Sequence, residues 1–236
     1  MMVSVTRTLL PAVVLAMGAL GWNATAHATP ELQIEVSDGA TLLLNTGLVS
    51  GGLIGNTTLT DSNFSSIAFS SQGVPILGNP DLSSVTLDAT RATASVPVTL
   101  TVKITQIGLT GFPSGLLQVS DTTDALIGSF GTINQSTFLD PTNTAFGTGA
   151  GTLLNSHNVI STPDAFSVDV TVGPGLTTFS ETQIYTINFD SGSASYGGAM
   201  QLKVAPIPEP ASFSTLSGAG ALLLGFSWLR RRRQDR

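Results

Sequence analysis

From Val96 to Thr105 the chain alternates without a break: Val96, Val98, Leu100, Val102 and Ile104 are separated by Pro97, Thr99, Thr101, Lys103 and Thr105. Successive side chains of an extended chain point to opposite faces, so the aliphatics share one face and the mostly hydroxyl residues the other. The stretch predicts a half-buried strand of antiparallel sheet. Pro97 cannot donate to a ladder and belongs near the strand start or on an edge. After Gln106 the apolar phase moves to Ile107 and Leu109, as a bulge or a new strand would require.

The same period of two recurs along the chain. Leu32, Ile34 and Val36 alternate before the Asp38-Gly39 turn, Phe166 to Val172 before Gly173-Pro174-Gly175, and Tyr185, Ile187 and Phe189 before Asp190-Ser191-Gly192. Met200, Leu202 and Val204 alternate last, and shorter runs lie at 41–44, 52–60, 64–70, 85–87, 116–119 and 125–133. Short runs about ten residues apart, with Gly, Asp, Asn, Ser or Pro between them, are the spacing of a sandwich or barrel. No fixed-period repeat points to a propeller or β-helix. The expected fold is an all-β, antiparallel β-sandwich of jelly-roll or immunoglobulin-like type, over residues 29–205. Segments 142–152 and 190–198, dense in Gly, Ser and Thr, read as loops or weak glycine-rich strands.

The net charge of -6 conceals two regions. Residues 29–205 hold three basic side chains (Arg91, Lys103, Lys203) and thirteen acidic ones, a balance of -10. Three scattered cations offer no stripe for phosphate neutralisation, so nucleic acid is not an expected partner. There is no cysteine, which removes disulfides, thiolate nucleophiles and Cys-ligated metals.

The two ends read as addresses. Arg7 precedes an apolar run at 9–20, and Ala26-His27-Ala28 places small residues where signal peptidase cuts, so 1–28 is expected to be a secretory signal peptide. At the other end Pro206, Pro208 and Pro210 precede an uncharged segment at 211–229, then Arg230, Arg231, Arg232 and Arg233. As a helix that segment would span about 28 Å, matching a bilayer core of about 30 Å. The arginines would hold the tail at 230–236 in the cytoplasm and leave the body on the far side of the inner membrane.

Pro208-Glu209-Pro210, a transmembrane helix and an Arg-rich tail in that order resemble the PEP-CTERM sorting signal of Gram-negative bacteria. The resemblance covers only 206–236, with Ile207 where the family often has Val and Gln234, Asp235 and Arg236 following the arginines. It implies processing near the motif by an exosortase, a membrane-embedded cysteine protease or transpeptidase, with Glu209 as a recognition element of the substrate.

Candidates for chemistry in the body are few. His157 is the one histidine left after removal of the signal peptide; with Asp164 and a serine it could form an acyl-transfer triad, but there is no Gly-x-Ser-x-Gly elbow. Segment 155–158 reads more naturally as a polar turn. A glycosidase would need two converging carboxylates and usually aromatic platforms, and the body offers only Tyr185 and Tyr196 besides Phe. No cofactor is expected; calcium is the one ligand that the oxygen donors would suit, through Asp61 with Asn63, Asp121 with Asp124, or Asp190. The competing reading is that such residues cap turns.

The chain is therefore expected to be a non-enzymatic, exported cell-surface or matrix protein. Signal peptidase and exosortase are its expected processing partners, and the sorting resemblance implies an extracellular polysaccharide or biofilm setting. The alternatives are a carbohydrate-binding or adhesive module, calcium-dependent or not, and a secreted glycoside hydrolase.

Overall fold

The computed structural model of the chain describes residues 29–77, 81–110, 116–149, 151–172 and 178–204. Among the described residues there is no helix, and so none long and apolar enough to cross a membrane. The signal peptide, the 211–229 helix and the arginine tail lie outside the described residues.

Thirteen strands follow one another: β1 (Glu31–Asp38), β2 (Thr41–Asn45), β3 (Val49–Ser50), β4 (Leu53–Leu59), β5 (Phe64–Gly73), β6 (Asp81–Ala94), β7 (Val98–Thr110), β8 (Leu116–Ile127), β9 (Phe130–Asp140), β10 (Thr152–Asn158), β11 (Asp164–Thr171), β12 (Thr178–Phe189) and β13 (Gly192–Val204). They form two antiparallel sheets. The first has the order β10-β9-β12-β7-β1-β2, with β3 also paired to β1, and the second β11-β8-β13-β6-β5-β4. Buried side chains of both sheets pack together, Leu32, Ile34, Val102 and Tyr185 from the first against Ile67, Val85, Leu87 and Met200 from the second. The fold is therefore all-β, two sheets sharing one interior.

The long alternating run becomes β7, at the centre of the first sheet, and Pro97 precedes its first residue, where no ladder N–H is needed. The phase shift after Gln106 is a bulge within one strand: Phe179 pairs with Leu109 and Glu181 with Gln106, so Ile107 and Gly108 together face Ser180. Gly108 takes φ 74°, and its freed N–H donates to Asn143 Oδ1 at 2.7 Å.

Two expectations are corrected and one alternative is decided. Segment 155–158 is no turn: it forms the last four residues of β10, an edge strand whose polar side chains face solvent or its neighbour across the sandwich edge. The run at 125–133 is two strands, because Gly128 at φ 97° turns the chain between β8 and β9. Of the two readings for 190–198, the glycine-rich strand holds: 192–198 opens β13, which pairs on both sides with β6 and β8.

The registers fix the two ends of the sandwich. Glu31 lies opposite Ile107 near the end of β7, and Val204 lies opposite Leu117 near the start of β8, so the described chain enters and leaves at the same end. The connections at 39–40, 60–63, 95–97, 128–129, 159–163 and 190–191 gather at the other end.

Candidate functional site

Where the edge strands β10 and β11 meet, the two sheets bring together Asp121, Asn155, His157, Asp164 and Phe166. His157 Nε2 lies 3.0 Å from Asp164 Oδ2, and its ring stacks on Phe166 with centroids 4.5 Å apart and 14° between planes. Asn155 Nδ2 donates to Asp121 Oδ2, while Asp121 Oδ1 is buried without a partner. Burial pushes the Asp121 carboxyl up to about 6; the His157 charge and the Asn155 hydrogen bond oppose that, and Asp164 adds to it.

The sequence placed His157 near Asp164, and the structure pairs them. What it does not supply is a nucleophile: among the described residues no serine or threonine hydroxyl hydrogen-bonds His157. The pair fastens β10 to β11 and closes the open side of the sandwich.

The calcium candidates are not brought together. Asp121 faces the interior at 1% exposure, whereas Asp124 is exposed at a bulge where Gly197 pairs with Ala125 and Gly198 with Thr123. Asp61 Oδ1 accepts from the backbone N–H of Asn63 at 2.9 Å and of Phe64 at 2.6 Å, which is a turn cap. Asn63 turns its N–H, not its oxygen, toward Asp38 Oδ2, at 2.5 Å. Burial raises the Asp38 carboxyl, against that hydrogen bond and with the help of neighbouring Asp61. Asp190 Oδ2 accepts from Ser129 Oγ at 2.7 Å. Among the described residues no three His, Asp or Glu side chains converge as metal ligands. Ala26, Ala28, Pro208, Glu209, Pro210 and Arg230 to Arg233 lie outside the described residues.

The end carrying the six connections exposes large apolar side chains. Ile160, Ile127 and Val96 stand 91%, 68% and 67% exposed there. A groove of about 370 Å³ runs between Leu126, Phe130, Ile133 and Ile160, and a second of about 380 Å³ between Gly39, Pro97, Asn188 and Asp190. Phe189 lies between them, its ring 5.0 Å from Phe130 and 5.2 Å from Phe64. Arg91, 1% exposed, holds the loops from within: its guanidinium donates to the carbonyls of Phe189, Asp190 and Val96. With Arg91 buried, Lys103 paired to Glu35 at 2.8 Å and Lys203 near Asp81 at 3.7 Å, no cation among the described residues is free of a partner, and the surface is acidic.

The interior holds what the sequence did not reveal, a polar layer between two apolar clusters. Gln106 and Glu181 lie opposite each other on β7 and β12, Thr137 and Gln183 on β9 and β12, and Gln135 opposite Tyr185. Gln183 Nε2 donates to Ser83 Oγ of the facing sheet at 2.8 Å, and Gln135 Nε2 to the Tyr196 hydroxyl at 2.8 Å. Burial pushes the Glu181 carboxyl up to about 7 against a hydrogen bond from Ser83. Both tyrosines are core residues, raised by burial and at most 2% exposed, so neither ring is available to stack on a sugar.

No protein-family model matches the chain, and no curated protein matches it. Among solved structures, the chain resembles the CBM22-1 xylan-binding domain of Paenibacillus barcinonensis Xyn10C at 9% identity, over 65% of this chain and 87% of that one, with a TM-score of 0.28. It also resembles the structure of infectious bursal disease virus Gx strain at 11% identity, over 86% of this chain and 55% of that one, with a TM-score of 0.23. Likeness of this order carries no argument about fold or ligand.

Proposed function

We propose that the chain is an exported surface or matrix protein, inserted through a signal peptide, processed by an exosortase at Pro208-Glu209-Pro210, and displaying its β-sandwich as a non-catalytic module. The supporting observation is the geometry of the chain ends. Glu31 and Val204 sit at one end of the sandwich, so a precursor tethered through the segment after Val204 holds the six-connection end, with its exposed apolar tips, away from the membrane. Repeated crossing between sheets, at 95–97, 128–129, 159–163 and 190–191, favours the jelly-roll over the immunoglobulin-like arrangement. The burial of Tyr185 and Tyr196 disfavours glycan stacking, and binding through the apolar tips is the adhesive mode that remains.

C-terminal mapping by mass spectrometry tests the sorting. In wild-type cells the surface or secreted form should end before Arg230, and Glu209→Ala should retain the precursor in the inner membrane. Surface material that still carries residues 230–236 would overturn the proposal.

A further inference from the structure

Ser83, Glu181, Gln183 and Thr137 meet in the buried polar layer, each at most 1% exposed. Gln183 Nε2 touches Ser83 Oγ at 2.8 Å, and the Ser83 hydroxyl hydrogen-bonds the Glu181 carboxyl. Thr137 lies directly across from Gln183, and Thr137 Oγ1 and Gln183 Oε1 are both buried without a partner. A hydroxyl, a carboxyl able to take its proton, a carboxamide carbon one bond from the atom in contact, and a second hydroxyl on the residue paired across from the carboxamide are the parts of an acyl transfer.

We propose that Ser83 and Gln183 form an intramolecular ester linking β6 to β12 across the sandwich. Rotation about Cγ–Cδ of Gln183 turns the face of the carboxamide to Ser83 Oγ. The Glu181 carboxylate takes the Ser83 proton as Oγ bonds to Cδ, and the negative charge develops on Oε1, on the side chain paired across from Thr137. Collapse breaks the Cδ–Nε2 bond, and the nitrogen leaves as ammonia with the proton returned by Glu181. The products are one ester and one ammonia, and the reaction needs no oxidant or cofactor. Escape of ammonia to solvent and exclusion of water from the layer drive it forward. The raised carboxyl of Glu181 suits it to hold and return that proton near neutral pH. The link would join residues 100 apart in a chain with no cysteine, doing for an exported domain what a disulfide does.

Trypsin separates the partners, because Ser83 lies in the peptide ending at Arg91 and Gln183 in the peptide 104–203. Digestion of the denatured full chain should yield both peptides as one species, lighter than their sum by one ammonia and split by mild alkali. Ser83→Ala should give two separate peptides, and Glu181→Gln should do the same while keeping the far-ultraviolet circular dichroism of the fold. Two separate, unmodified peptides from the wild-type chain would overturn the proposal, whatever the variants do; linked peptides in Ser83→Ala would overturn the assignment of the nucleophile.

Discussion

Asp121 makes stability fall as pH rises. Its carboxyl has an ordinary value of 3.8 and stands at about 6 in the folded chain, with burial as the main cause. Below pH 3.8 the group is protonated in both states and contributes nothing. Between about pH 4 and 6 the unfolded chain releases the proton while the folded chain keeps it, so the native state is progressively disfavoured, and above about 6 the loss is complete. A rise from 3.8 to about 6, at about 1.4 kcal/mol for each tenfold change in proton affinity, gives about 3 kcal/mol. Screening beside His157 and Asp164 reduces that to roughly 2–3 kcal/mol. Asp121→Asn keeps an oxygen for Asn155 Nδ2 but does not titrate. Urea unfolding should therefore show the wild-type domain losing roughly 2–3 kcal/mol more than the variant between pH 4 and 7. Residues 29–205 contain no tryptophan, and the buried Tyr185 and Tyr196 report unfolding through near-ultraviolet circular dichroism. Parallel stability curves for the two proteins would refute the reasoning. Glu181, also raised by burial, adds a slope of the same sign to both and cancels in the comparison.

Arg91→Leu strips three carbonyls of their buried donor and should destabilise the domain by about 2–4 kcal/mol in thermal or urea unfolding, with Arg91→Lys recovering little because one ammonium cannot span them. Gly52→Ala should be far more damaging than Gly39→Ala. Both glycines have positive φ, but a Cβ at Gly52 would lie 2.4 Å from the Val74 carbonyl oxygen, whereas at Gly39 nothing lies within 4 Å. The expected loss is about 1 kcal/mol at Gly39, the conformational cost alone, and several at Gly52 or no folded protein, read from the urea midpoint.

The alternation of single strands was legible because burial of one face writes a period of two directly into the residues. It gave β1, β7, β11 and the last five residues of both β12 and β13, and it placed Pro97 and the Gln106 phase shift. It failed where that signature was missing. β10 exposes or half-buries most of its polar residues at an edge, and the turn at Gly128 sits between apolar neighbours on both sides. The His157–Asp164 pair was in reach of sequence reasoning because the two are seven residues apart. Asp121 with Asn155, 34 apart, and Ser83 with Gln183, 100 apart, were not, because only the packing of the two sheets brings such distant segments together.

The sequence by itself determined that this chain folds as β-strands and that it has no cysteine chemistry, and its ends resemble an export leader and a sorting signal. Tertiary structure alone decided which strands share a sheet, since a period of two looks the same on either one. It thereby decided that a buried carboxyl, a serine and a glutamine meet in the interior, and that the chain enters and leaves the sandwich at one end. Those outcomes depend on register between distant segments, and a one-residue slip would turn every side chain involved to the other face.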